Sequence, residues 1–164
     1  MFKMTQTIVA LIGICICCWT VYAQEPTTSP DDLHLSQELR TLLQTEMREI
    51  AGASQAMVMS FVSGDWKSIQ RVSEQIRASY VMERSISDSQ KRELEDKLPD
   101  RFKRLDMDFH ARANKLGLAA ASEDPEIVAF HYSRLLETCA TCHAAYAKLR
   151  FPGFSSKPPD VHEH

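Results

Sequence analysis

Cys139-Ala140-Thr141-Cys142-His143 stands near the end of a stretch that opens at Asp124-Pro125 and closes at Phe151-Pro152-Gly153. Asp124 reads as an N-cap followed by proline at the first helical position, so the spacing predicts a helix running to about Arg150. Val128, His131, Leu135 and Cys142 then share one of its faces. Residues three apart on a helix point the same way, so both thiols face one edge of a flat group and His143 reaches beneath its centre. This order of residues is what covalent haem attachment requires. Each thiol adds across one vinyl group of the porphyrin, and the imidazole ligates the iron.

Helical periodicity extends outward from this stretch to most of the chain. Ser36 caps a first helix to about Ser63, with Leu39, Leu43, Met47, Ile50, Met57 and Phe61 along one face, and Gly64 breaks it. Asp65 caps a second helix carrying Ile69, Val72, Ile76 and Tyr80 at the same spacing. Ser87-Asp88-Ser89-Gln90 is a capping box that opens a short polar helix ending before Pro99. A third long helix starts at that proline and turns Phe102, Leu105, Phe109 and Leu116 inward. No stretch reads as a convincing strand, and no internal repeat interrupts the pattern. The expected fold is all-α, an antiparallel up-down-up-down four-helix bundle over residues 35–154 with one covalently bound haem. A short extra helix lies between helices 2 and 3.

The first 23 residues read as a secretory signal peptide: Lys3 supplies the positive start, Ile8 to Cys18 the apolar run, and Val21-Tyr22-Ala23 the cleavage site. The apolar run is shorter than the roughly 20 residues of a spanning helix, which argues against a retained anchor. Cys15, Cys17 and Cys18 each follow Ile or Cys, where lipidation would want a small residue. Cleavage before Gln24 leaves Cys139 and Cys142 as the only cysteines, and 18 basic against 22 acidic residues, a net charge of −4. That balance points away from nucleic acid and from stable membrane insertion after cleavage. Gln24 to His34 reads as a flexible leader, and residues 155–164 as a disordered polar tail. Export would permit a disulfide or a redox dithiol, but the β-α-β context of such a dithiol is missing.

A Cys-x-x-Cys-His motif at the C-terminal end of the last helix resembles the class II c-type cytochromes, the cytochrome c-prime group and its low-spin relatives. The likeness spans most of the mature chain, from Leu39-Arg40 to Tyr146, and Tyr146 fits the aromatic that follows the motif in that family. Ala147 departs from the basic residue common there, with Lys148 or Arg150 one turn along. The resemblance implies haem c held by Cys139 and Cys142, His143 as proximal iron ligand, and Arg40 neutralising a haem propionate. It also implies that the first helix presents the distal position. Counting from Leu39-Arg40 gives Gln44, and counting from Gly64 gives a place near Met47, the candidate distal ligand. Met47 could equally be an ordinary core methionine.

Two functions follow from that choice. With Met47 on the iron, the protein is not an enzyme but a periplasmic carrier of single electrons between redox proteins, met through small interfaces at the haem edge. With an apolar cap of Leu43 and Ile50, the iron is five-coordinate and binds nitric oxide or carbon monoxide for sequestration or sensing. Zinc is a third reading, although adjacent Cys142 and His143 chelate one ion awkwardly. His131 lies roughly 18 Å from His143 along the helix and cannot reach the same iron. His110 is expected to be structural, with bis-histidine ligation the lesser alternative. His34, His162 and His164 fall in the ends of the chain, and Trp66 reads as a packing anchor. The resemblance further implies a homodimer through the first two helices.

Overall fold

A computed structural model of the chain describes residues 33–79 and 82–155. The expectations for the signal peptide, for most of the leader, for Tyr80 and for His162 and His164 lie outside these residues. Among the described residues the chain is helical, with no strand: α1 (Gln37–Val62), α2 (Trp66–Arg77), α3 (Met82–Ser85), α4 (Asp88–Lys97), α5 (Asp100–Ala121) and α6 (Pro125–Tyr146), then a 3-10 turn at Pro152–Phe154. No described helix is long and apolar enough to cross a membrane.

Caps set most of these boundaries. The Ser36 hydroxyl accepts from the Leu39 amide, and Asp65 accepts from the Ser68 amide at 3.0 Å. Between them Gly64 takes φ +69°, which lets the Asp65 amide reach back to the Ser60 carbonyl at 2.8 Å. The capping box of α4 is formed in both directions, Gln90 amide to Ser87 hydroxyl and Ser87 amide to Gln90 side chain. Helix α6 departs from expectation at its far end. It stops at Tyr146 rather than near Arg150, and the amides of Arg150 and Phe151 turn back onto the Ala147 carbonyl. The helix ends because Ala147 leaves helical backbone at φ −139° and ψ 27°, four residues before the Phe151-Pro152 pair.

Two apolar clusters hold the helices. The first joins Met57, Ile69, Ile76, Leu116, Val128 and Leu135, with Phe61 and Trp66 meeting edge to face at 5.7 Å beside it. Helices α2 and α5 approach closely there, as a Cβ on Gly117 would stand 3.3 Å from the Ser73 Cβ. The second cluster gathers Leu33, Leu35, Leu39, Ala145 and Tyr146. Leu33 is only 1% exposed, so packing includes residues before the expected boundary at 35. Helix α4 pins that entry: Glu93 accepts from the Ser36 amide at 2.6 Å, and Lys97 donates to the His34 carbonyl at 2.9 Å.

Candidate functional site

The Asp124 carboxylate opens α6 by accepting from the Glu126 and Ile127 amides at 2.8 and 3.2 Å, and Pro125 fills the first helical place. Helical spacing then carries both cysteines and His143 to the opposite end, beside the second apolar cluster. Cys142 packs against that cluster, together with Leu42 and Leu43 of α1 and Phe102 and Leu105 of α5. The thiols are free and half-buried. Cys139 leans on the Leu135 carbonyl at 3.6 Å.

Burial governs the protonation of these groups. It pushes the Cys142 thiol up to about 11, with the negative charges of Asp106 and Cys139 adding to the shift. Cys139 moves in the same direction, again through burial. Both are neutral thiols at neutral pH, the opposite of the low-pKa cysteines that drive dithiol exchange. The His143 imidazole is held below its usual range by burial and then by the Arg150 charge. A neutral ring keeps a nitrogen lone pair available to a metal. Its orientation is set by Phe151, which stacks on it at 4.6 Å with 20° between the planes.

Of the residues expected to serve the site, Arg40 is the most telling. Its Nη2 donates to the Leu35 carbonyl at 3.0 Å, while its Nε is buried with no partner. A buried donor left unpaired costs about 1–3 kcal/mol, and a carboxylate is the acceptor a guanidinium suits best. Together with the paired thiols, the neutral imidazole and the apolar surroundings, that orphaned donor fits a haem with its propionates. Among the described residues no three His, Cys, Asp or Glu side chains converge as a metal cluster. A haem iron asks less of the chain, since the porphyrin supplies four of its ligands.

Met47 is 39% exposed and is not among the side chains packed around Cys142. Its neighbour Glu46 takes the inward place, 3% exposed, and accepts from the Met82 amide at 3.2 Å. An apolar count along α1 passes over Glu46 because it is charged, although it falls on the Leu39, Leu43, Ile50 stripe. His110 is engaged elsewhere: its Nδ1 meets the Ile76 carbonyl at 2.8 Å and its Nε2 lies 3.6 Å from Asp106. His131 stands edge-on to Phe130, away from His143. Phe151 was legible only as a helix stop, and nothing in its spacing marks it as a partner of His143. Comparison with protein-family models, curated proteins and solved structures found no match to this chain.

Proposed function

We propose that the chain is an exported mono-haem c-type cytochrome, an antiparallel four-helix bundle that carries single electrons between periplasmic redox proteins. The observation that carries this reading is the grouping of Cys139, Cys142 and His143 on α6, with Cys142 set into an apolar cluster between α1, α5 and α6. Bound there, haem supplies one iron that alternates between ferric and ferrous states. Cys139 and Cys142 hold it by thioether bonds, so it cannot dissociate. His143 offers a neutral nitrogen to the iron, and Phe151 fixes the plane of that ring. Arg40, whose buried Nε lacks a partner, would serve to pair with a propionate. Leu42, Leu43 and Phe102, packed against the same cluster as Cys142, give the site apolar surroundings.

The surroundings of Cys142 favour a second reading at the distal side. Leu42 and Leu43, not Met47, are the α1 side chains packed on this cluster. An aliphatic cap leaves the iron open to nitric oxide or carbon monoxide and offers no hydrogen bond to polar ligands.

An optical spectrum of the exported protein, oxidised and reduced, with and without carbon monoxide, separates the two. Sharp low-spin bands that ignore the gas support the electron carrier with Met47 on the iron, and Met47→Ala then turns the spectrum high-spin. A high-spin spectrum that shifts with carbon monoxide supports the open iron. Absence of haem bands after expression with haem-maturation machinery contradicts both.

A further inference from the structure

We propose that the turn Lys148–Phe154, folded back over His143, is the docking surface for an acidic electron-exchange partner. The proposal rests on the haem reading above and deepens it by naming where electrons leave the protein and what chemistry receives them. After Tyr146 the chain does not run off the bundle. It doubles back through the Ala147 carbonyl, which accepts from both the Arg150 and Phe151 amides, and lays the Phe151 ring on the His143 imidazole. Arg150 covers that ring in turn, its guanidinium carbon 5.8 Å from the centroid. A continuous stack therefore runs from the iron-binding imidazole through Phe151, itself 37% exposed.

The surface around this stack has the composition of a recognition patch. Leu149 and Phe154 are 74% and 41% exposed, beside the exposed edge of Phe151. Aromatic side chains and arginine are the groups enriched at protein interfaces. The charge is as distinctive. No Asp or Glu occurs from residue 138 to 155, although the whole chain carries −3, and Lys148 and Arg150 have no ion-pair partner among the described residues. The first turn of α5, brought alongside by the edge contact of Phe102 with Tyr146, adds exposed Arg101 and an Asp100 that lies 4.0 Å from Lys103. A local positive patch on an acidic protein orients an acidic partner. Lys148, Arg150 and Arg101 are fewer cations than the about four to eight that anionic lipid surfaces select, so a protein is the better match than a membrane.

The test uses redox reagents of known charge on the full exported protein. Hexacyanoferrate(III) takes one electron from the reduced protein, leaving the oxidised protein and hexacyanoferrate(II). If the patch is the exit, this rate falls at least about threefold as ionic strength rises from about 10 to about 200 mM, despite the negative net charge. The double reversal Lys148→Glu with Arg150→Glu inverts that salt dependence, whereas Lys67→Glu, at the α1–α2 end of the molecule, does not. Redox-inert hexacyanochromate(III), a paramagnetic trianion, broadens amide resonances of residues 148–154 first. A rate that rises with salt in the unaltered protein, or broadening centred elsewhere, overturns the proposal. Flotation of the protein with phosphatidylserine vesicles, lost in the double reversal, overturns it in favour of a membrane. A protein purified without haem fails the proposed function, yet the broadening pattern still decides the surface.

Discussion

Glu46 is buried and His110 half-buried beside an interior that also takes in the hydroxyls of Ser73 and Thr138. His110 has its pKa raised, first by the Asp106 carboxylate, then against the opposing effect of burial by the Ile76 carbonyl and Glu46. A raised folded-state value means the stabilisation is complete below the ordinary histidine range and is lost as pH rises through the folded pKa. Thermal unfolding should therefore show the midpoint falling between about pH 6 and about pH 8, and His110→Asn should flatten that slope. An unchanged slope in the variant would assign it to other groups. Arg40 makes a different prediction. On the proposed haem reading, a cation at a propionate disfavours the ferric state, so Arg40→Met should lower the reduction potential in a spectroelectrochemical titration. An unaltered potential would leave Arg40 as a tie to the Leu35 carbonyl and nothing more. At this scale Cys139, Cys142 and His143 stand out because covalent haem attachment would require that spacing, and the structure places all three on α6. Glu46 was not legible, since an inward carboxylate defies the apolar pattern that locates a helix face. Phe151 was not, because the turn that brings it to His143 depends on backbone hydrogen bonds no residue pattern specifies.

The helices owe their limits to short polar signals. Ser87 and Asp124 each satisfy amides that the first turn leaves unpaired, so Ser87→Ala or Asp124→Ala should cost about 1 kcal/mol in chemical denaturation. The approach of α2 to α5 is a packing constraint rather than a capping one. Ser73 is fully buried against Gly117, and a Cβ there already meets the Ser73 Cβ at 3.3 Å. Gly117→Val adds a branched side chain to that contact and should destabilise by about 1–3 kcal/mol, despite valine's better helix propensity. A neutral result would mean the two helices part without loss. Element by element, the caps at Ser36, Asp65, Ser87 and Asp124 could be read from residue types alone. The one-turn helix α3 could not, because four residues carry no period. The end of α6 falls one turn before the Phe151-Pro152-Gly153 breaker that marks it in the sequence, because Ala147 leaves helical backbone and no residue type announces that.

Over the whole molecule, the helical class follows from sustained periodicity and the absence of strand signals. The partition into two clusters does not, since it depends on which helix faces meet. That partition matters for function. The first cluster, with Leu116, Val128 and Leu135, reaches Cys139 through the Leu135 carbonyl. The second, entered by Leu33 and Leu35 from before α1, encloses Cys142. Leu39, fully buried in it, supports the site and the fold together, and Leu39→Ala should cost about 2–5 kcal/mol in denaturant unfolding. The central claim concerns the two thiols, and the mass of the intact exported chain tests it most directly. The account predicts one haem added to the mature polypeptide, surviving denaturation, and absent when Cys139→Ala and Cys142→Ala are combined. A chain exported through haem-maturation machinery at the mass of the bare polypeptide, or a double variant that still carries covalent haem, would contradict it.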